Sequence, residues 1–426
     1  MKQIDALEVL KTGQNVFLTG EPGAGKTHTV NEFIKWAMGQ RKQIAITAST
    51  GIAATHINGM TIHSFAGIGI KKKLMPGDAD AIWRNEFKAR QMAVPDILII
   101  DEISMLDANT LDMVDEVLSL HPMFGGAGKA FGGKQVIFVG DFFQLPPVPD
   151  RFKKDVPVKF AYEAESWKHA APVVCYLTEQ HRQNDLEFLD LLTSMRNGEI
   201  EKKHIDLLNS RNDIPVYVPE TTMLYTHNED VDRLNYDMLS QIEEEPHVYD
   251  MASEGHEVAV SILKKQCLSP ERLELKKGAL VMFTRNNWDT GYVNGTIGTV
   301  IEFLREGMPV VRTKDGQEIV VLRAEWSFVN SRGQTTASIK QLPLRLAWAM
   351  TIHKSQGMSL DQAHIDLSGA FEFGQGYVAL SRVRSLKGLT LEGFNKKALQ
   401  MHSKVVEQDI VFRKLSEQTE QTYGTR

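Results

Sequence analysis

The sequence predicts an α/β protein built from two consecutive parallel-sheet units, the first carrying a small insertion and the second interrupted by an antiparallel β segment. Three observations predict it. A glycine loop, Gly20-Glu21-Pro22-Gly23-Ala24-Gly25-Lys26-Thr27, lies between an apolar run and an amphipathic helical pattern. A second apolar run, Ile97-Leu98-Ile99-Ile100, ends in two carboxylates, Asp101 and Glu102. From Lys277 onward, short β-branched runs separated by turn residues replace the helix-rich pattern.

Composition bounds the class. At 426 residues the chain holds two to four compact units, because single cores rarely grow past roughly 250 residues. Hydrophobic content of 42% and charged content of 24% are those of an ordinary globular protein. The two cysteines, Cys175 and Cys267, lie too far apart in sequence for a disulfide framework or a cysteine zinc site, which points to a reducing, cytoplasmic interior. No apolar run approaches the roughly eighteen residues of a membrane helix, and residues 1–5 lead into no signal-peptide core. Forty-eight basic against fifty-four acidic residues leave a formal charge of −6. That balance argues against a general polyanion-coating protein, so any grip on nucleic acid must be local.

In chain order, residues 1–13 read as a short helix with Ile4, Leu7 and Leu10 on one face; Gln3, just ahead of it, reads by itself as a surface polar residue. The strand Val16-Phe17-Leu18-Thr19 leads into the glycine loop, and residues 29–38 carry Val30, Phe33, Ile34 and Ala37 at helical spacing. Strand, glycine loop and helix together let Gly-x-x-x-x-Gly-Lys-Thr cradle a nucleotide phosphate chain. Glycines allow backbone N–H groups to turn inward, and the helix N-terminus adds partial positive charge. Lys26 then sits on the β/γ-phosphates and the Thr27 hydroxyl on Mg²⁺. Gly20, Gly23, Ala24, Gly25, Lys26, Thr27 and His28 are the candidate nucleotide contacts.

A second strand, residues 43–47, turns through Ala48-Ser49-Thr50-Gly51 into another helix. This hydroxyl-rich turn suits a sugar-phosphate strand lying along its N–H groups, and a helix N-cap explains Ser49 and Thr50 equally. His63-Ser64-Phe65 is either a packed helix start or a contact to a nucleic-acid backbone or base. Residues 66–93, with Lys71-Lys72-Lys73, Pro76-Gly77-Asp78, Trp83, Arg84 and Phe87, read as an excursion inserted into the sheet, with a solvated connection as the alternative.

The run ending at Asp101 and Glu102 reads as a central parallel strand, which delivers acids to the C-terminal edge where doubly wound sheets keep their ligands. Asp101 can hold Mg²⁺ through water while Glu102 polarises the attacking water, the pattern of metal-assisted phosphoryl transfer. Residues 106–120 form a helix. The tandem Phe-Gly-Gly of residues 124–133 reads as a flexible loop. The strand Val136-Ile137-Phe138-Val139 ends at Gly140-Asp141-Phe142-Phe143-Gln144-Leu145-Pro146-Pro147, whose prolines hold Gln144 beside the two acids, where its amide can sense a γ-phosphate.

The first domain is expected to end near Leu177. A helix over 186–196, a helix over 204–210, the strand Thr222-Met223-Leu224-Tyr225 and a helix over 231–239 begin the second unit. Thr226-His227-Asn228 either caps that last helix or holds a phosphate at its N-terminus. The runs at 279–284, 295–301, 309–312 and 318–322 form a small antiparallel barrel or meander. The α/β pattern resumes at Leu344, with Thr351, His353 and Lys354 at the polar end of an apolar stretch, and closes with a strand at 389–392 and C-terminal helices.

The ordered motifs GEPGAGKT, TASTGIAA, HSF, DEIS, GDFFQLPPV, TEQHRQ, LAWAMTIHKSQG and YVALSR span almost the whole chain and resemble superfamily 1B DNA helicases of the petite-integration-frequency (Pif) type. The resemblance implies two RecA-like P-loop domains in tandem, with a small wedge domain inserted in the first and a small β-barrel in the second. It places them at 1–65 with 94–177, wedge 66–93, 178–294 with 343–426, and barrel 295–342. Gln3 matches a glutamine that reads adenine, and Gln144 a γ-phosphate sensor. Arg182 and Arg382 resemble two arginines offered to the transferred phosphoryl. Thr50, Gly51, His63, Ser64, Phe65, Thr226, His227, Thr351, His353 and Lys354 resemble a single-strand track.

ATP and Mg²⁺ are the implied cofactors, and single-stranded, forked or quadruplex DNA the implied partners. The resemblance also implies a monomer with a dimer on DNA as the alternative, movement 5′ to 3′, and settings in DNA repair, recombination and telomere maintenance. Two features depart from the family pattern: the tandem Phe-Gly-Gly loop is longer than a single copy, and no targeting extension precedes Met1, which favours a bacterial or phage source. A single-strand translocase without strand separation and a small-molecule kinase of the phosphate-loop class are the rival readings.

Overall fold

The computed structural model describes residues 1–57, 59–69, 71–120, 128–147, 159–179, 185–212, 214, 221–287, 290–329 and 335–423. No helix among them is long and apolar enough to cross a membrane. The chain forms two compact units. The first comprises Met1–Asn209, Ala370–Leu386 and Asn395–Arg426, and the second Ser210–Gly369 and Lys387–Phe394. Residues 178–209, 370–386 and 395–426, which the sequence places in the second α/β unit, therefore fall within the first.

The first unit is organised on a six-stranded parallel sheet. Its strands are β1 (Val16–Gly20), β2 (Ile44–Ala48), β3 (Met60–Thr61), β4 (Ile97–Asp101), β5 (Gln135–Val139) and β6 (Val173–Leu177), in spatial order β3-β2-β4-β5-β1-β6. Strands buried on both faces need continuous apolar runs, and β1, β4 and β5 supply them. One face packs Leu18, Ile99 and Ile137 against Val9 and Leu10 of the helix Gln3–Lys11 and Phe33 of the helix Lys26–Gly39. On the other face, Phe17 meets Trp167 with ring centroids 5.1 Å apart and Phe412 at 4.9 Å.

Phe412 belongs to the C-terminal helix Ser403–Tyr423, which packs on β6, and Ser416 Oγ accepts a hydrogen bond from the Tyr176 N–H at 2.9 Å. The excursion at 66–93 holds two short helices, Asp78–Arg84 and Glu86–Ala93. It is tied down: Trp83 Nε1 donates to the Val117 carbonyl at 2.7 Å and Lys88 Nζ to the Ser64 carbonyl at 2.6 Å.

The expected Phe-Gly-Gly loop needs correction where it is described. Its first copy lies outside the described residues, but the second forms a tight turn, Ala130–Gly133. There Phe131 is buried edge-on against Phe138 at 5.8 Å. The turn is held by packing of the aromatic, so this copy is an anchored corner.

The second unit has a four-stranded parallel sheet. It contains β7 (Thr222–Tyr225), and after an inserted β region β18 (Ala349–Thr351), β19 (Ala363–Leu367) and β20 (Leu389–Phe394), in order β18-β7-β19-β20. The helix Asn228–Ser240 is pinned to it by Asn235, whose amide donates to the Ala349 carbonyl at 2.9 Å and accepts the Ala349 N–H at 3.1 Å.

Between β7 and β18 lie β8 (His247–Asp250), β9 (Ala252–Gly255), β10 (Arg272–Leu275), β11 (Leu280–Phe283), β12 (Ile297–Phe303), β13 (Pro309–Thr313), β14 (Glu318–Val320), β15 (Ala324–Val329), β16 (Thr335–Gln341) and β17 (Leu344–Leu346). Strands β11 to β14 form the expected antiparallel meander, with β17 on the open side of β11. A separate three-stranded sheet, β15-β16-β9, stands beside the β8–β10 pair.

Candidate functional site

The glycine loop leaves β1 at Gly20 and enters the helix Lys26–Gly39 through Gly25. Both glycines are required by close approach as well as by positive φ, +144° and +89°. A methyl at Gly20 would lie 2.7 Å from the Leu177 carbonyl, and one at Gly25 would collide with the Gln3 amide. Gln3 is therefore not a bare surface residue. Its backbone N–H donates to Glu179 Oε2 at 2.9 Å, and its Nε2 to the Ala24 carbonyl at 3.2 Å. Thr27 and His28 are exposed on the first turn of the helix, and Ala24 is buried.

Lys26 Nζ folds back to donate to the Gly20 carbonyl at 2.7 Å and the Glu21 carbonyl at 3.1 Å. It is half-buried, and desolvation lowers its pKa. The carboxylates of Asp141, Glu102 and Asp101 oppose that shift, and the Arg196 guanidinium adds to it.

Asp101 ends β4, and its Oδ1 accepts the Glu102 N–H at 2.8 Å. Burial raises its pKa, with the neighbouring Glu102 charge adding to the effect. Glu102 sits at φ +50°, a left-handed conformation that costs a non-glycine residue about 1–3 kcal/mol and turns the chain sharply at the sheet edge. Ser49 Oγ donates to the Glu102 carbonyl at 2.8 Å, so the hydroxyl-rich turn after β2 is tied to the acidic one after β4.

Gln144 is buried after β5, and its backbone N–H donates to the Asp141 carbonyl at 3.0 Å. Asp141, only 1% exposed, also accepts the Phe143 N–H at Oδ1 and Arg196 Nη1 at Oδ2, 2.7 Å. Arg196 comes from the last turn of the helix Leu186–Asn197 and is 1% exposed. Burial alone would discourage its charge, but Asp141, Tyr377, Tyr176 and Asp409 outweigh that and hold its pKa well above the ordinary value. Arg382, the C-cap of the helix Gln375–Ser381, is also buried, with Nε on the Val378 carbonyl at 3.0 Å and Nη2 on Ser381 Oγ at 2.9 Å. Arg182 lies outside the described residues.

Sequence reasoning missed the trio Asp141, Arg196 and Tyr377. Asp141 and Tyr377 stood inside quoted motifs without a role. Arg196 entered only as the end of the helix expected over 186–196, a position where cations are common. Its one signal was a charge close to the apolar side of that helix.

The expected strand-binding residues divide. In the first unit, Thr50 Oγ1 accepts the Ala53 N–H at 3.2 Å, which is the N-cap reading, and Gly51 opens the short helix Gly51–His56. His63 and Ser64 are half-buried in the turn Ile62–Phe65, and burial lowers the His63 pKa, favouring the neutral ring. Phe65 is a correction: at 1% exposure its ring fills the core and has no face for a base.

In the second unit the parallel pairing of β7 and β18 sets Thr226-His227 and Thr351 to Lys354 at one sheet edge. His227 is the N-cap of the helix Asn228–Ser240 but makes no side-chain cap bond; its Nδ1 instead shares a 2.8 Å hydrogen bond with Thr226 Oγ1. Thr226 and Thr351 are buried and His353 half-buried. Lys354 Nζ donates to Asn228 Oδ1 at 3.3 Å, and its pKa is lowered to about 8, first by burial and then by the Arg345 guanidinium.

The residues present fit a magnesium nucleotide. Among the described residues no group of three or more His, Cys, Asp or Glu could hold a metal ion alone. Magnesium bound with a nucleotide needs less, because it takes one or two protein oxygens and fills its remaining positions from phosphates and water. The exposed Thr27 hydroxyl and the Asp101 carboxylate are donors of that kind.

Residues 1–206 match the PIF1-like helicase family, and residues 260–303 match the 2B domain of DNA helicase Pif1, starting upstream of the 295–342 barrel expected from sequence. A Psychrobacter protein named ATP-dependent DNA helicase Pif1 is 40% identical over 99% of this chain and 72% of its own length. The chain spans 61% and 62% of the lengths of similar proteins from Emericella nidulans and Xenopus laevis. Among solved structures, the Pif1 helicase of Candida albicans is 32% identical with a TM-score of 0.84, covering 96% of this chain and 98% of that one. A structure of two coordinating Pif1 helicases unwinding forked double-stranded DNA is 32% identical with a TM-score of 0.74, covering 97% of each chain.

Proposed function

Because the chain belongs to the PIF1-like helicase family, we propose that it is an ATP-dependent DNA helicase that translocates 5′ to 3′ on single-stranded DNA and separates duplex or structured DNA. One observation carries the reading. The loop lysine after β1, the two acids at the end of β4, and Asp141 and Gln144 after β5 stand at the same end of neighbouring parallel strands, where Arg196 Nη1 holds the Asp141 carboxylate. Such a site stabilises charge on a transferred phosphoryl group.

In this reading Lys26 leaves the Gly20 and Glu21 carbonyls for the β/γ-phosphates, and Gln3 contacts the adenine edge beside Ala24. Glu102 orients and polarises the attacking water. Gln144 senses the γ-phosphate, and Arg182 and Arg382 stabilise charge on the phosphoryl in flight. Thr27 and Asp101 would hold Mg²⁺, which neutralises phosphate charge when bound. Thr50, Gly51, His63 and Ser64 on the first unit, and Thr226, His227, Thr351, His353 and Lys354 on the second, form the strand track, with Phe65 supporting it from the core. The packed excursion at 66–93 serves as the strand-separating wedge, and the meander belongs to the inserted barrel domain. Forked and quadruplex DNA are the proposed structured substrates.

The test is ATP turnover with and without oligo-dT, followed by release of a labelled strand from duplexes with 5′ or 3′ tails. DNA-stimulated turnover with release only from 5′-tailed substrates supports the reading. Stimulation without release indicates a translocase, and turnover indifferent to DNA refutes both.

A further inference from the structure

We infer that Arg196 is a positioning residue that makes the phosphate-sensing loop after β5 and the helix bearing Arg382 respond as one body. Two contacts of one buried guanidinium carry the inference, and a third anchors it. Nη1 donates to Asp141 Oδ2 at 2.7 Å and to the Tyr377 hydroxyl at 2.8 Å, and Nη2 donates to the Tyr176 hydroxyl at 2.7 Å. The guanidinium carbon also lies 4.0 Å from the centre of the Phe143 ring.

The first two partners lead to different parts of the site, while Tyr176 ties the guanidinium to Asp409 and Arg413 of the C-terminal helix. The Asp141 carbonyl holds the Gln144 N–H, and Tyr377 lies in the helix Gln375–Ser381, whose C-cap is Arg382. Gly374, which opens that helix, lies directly on the Phe143 and Gln144 carbonyls. A shift of the sensor loop therefore reaches the arginine-bearing helix along two routes, one polar and one steric.

A fourth direction is unfilled. Among the described residues Arg196 Nε has no hydrogen-bond acceptor although it is buried, and Glu21 Oε1 of the glycine loop stands 4.0 Å from it. A small movement of that loop would complete the bond and bring the nucleotide-binding backbone into the same body. Lysine cannot reproduce this, because an ammonium lacks the planar fork that serves several directions at once. Arg196 turns its Nη groups to Asp141, Tyr377 and Tyr176, so it acts through these partners.

The inference rests on the ATPase reading, and the test keeps the two apart. The parent's oligo-dT-stimulated turnover is measured first; its absence refutes the motor reading and the role of Arg196 with it. Given that turnover, kcat, KM for ATP and affinity for a fluorescent ADP are measured for Tyr377→Phe, Arg196→Lys and Tyr176→Phe, alone and combined with Gln144→Ala. Tyr377→Phe removes one oxygen and keeps the ring, so it reports even where a change at Arg196 prevents folding.

Tyr377→Phe should lower kcat about tenfold with KM and ADP affinity within about twofold of the parent. The Gln144→Ala/Tyr377→Phe pair should be no slower than Gln144→Ala alone, because residues acting as a unit are non-additive. Tyr176→Phe, whose hydroxyl faces Asp409 and Arg413 instead of the sensor loop, should lower the melting temperature and spare kcat. Parent-level kcat in Tyr377→Phe, losses that multiply with Gln144→Ala, or an equal kcat loss in Tyr176→Phe would each overturn the inference.

Discussion

Gly374→Ala offers a quantitative test of how closely the helix Gln375–Ser381 is held to the sensor loop. Gly374 has φ +77°, and a methyl there would lie 2.9 Å from the Gln144 carbonyl oxygen and closer still to that of Phe143. Gly198, the C-cap of the helix Leu186–Asn197, has nearly the same φ, +73°, with nothing within 4 Å of an added methyl. Both alanines bear the cost of left-handed backbone, about 1–2 kcal/mol. Only Gly374→Ala must also push backbone aside, which adds about 1–3 kcal/mol.

The push falls on residues whose N–H groups are bonded to Asp141, so the displacement enters the site. At about 2–4 °C per kcal/mol for a unit of this size, Gly374→Ala should melt roughly 4–20 °C below the parent and Gly198→Ala roughly 2–8 °C below. Differential scanning calorimetry reads both, and oligo-dT-stimulated ATPase should fall at least about tenfold in Gly374→Ala alone. Equal melting temperatures for the two variants, with ATPase unchanged in both, would refute the coupling of that helix to the loop.

Lys26→Ala should abolish ATP turnover, while Arg382→Ala should keep nucleotide affinity and lose about 10³-fold in hydrolysis rate; parent-rate hydrolysis by Arg382→Ala in a steady-state assay removes the proposed role of that arginine. Phe87, 42% exposed on the excursion, should matter for strand separation alone. Phe87→Ala is expected to slow forked-duplex unwinding about tenfold with oligo-dT-stimulated ATPase intact, and parallel loss of both activities would contradict a wedge. Lys354 supplies a pH dependence. Burial disfavours its charged form, so its unfavourable contribution to stability is complete below about 8 and is relieved as pH rises from there toward the ordinary value. A phosphate contact needs the charge, so single-strand affinity measured by fluorescence anisotropy should fall between pH 7 and 9. Lys354→Gln should flatten that fall; an equally steep profile in the variant assigns the titration elsewhere.

Much of the architecture was legible because it is written locally. The apolar runs of β1, β4 and β5 can only be strands covered on both faces, and the glycines at 20 and 25 answer the positive φ of the loop, although the close approach of Leu177 and Gln3 that also demands them is tertiary. The alternating runs after Lys277 became the meander β11 to β14 for the same reason. Tertiary structure alone decided which surface each amphipathic element covers. The C-terminal helix docks on β6 through Phe412 and Ser416, Phe65 turns its ring into the core, and Arg196 reaches Asp141 across 55 residues and Tyr377 across 181. Hydrophobic periodicity states that a face must be buried and is silent about its partner. Closing a long loop costs little more than closing a shorter one, so the choice among distant partners falls to shape, hydrogen-bond satisfaction and charge, which exist only once the chain has folded.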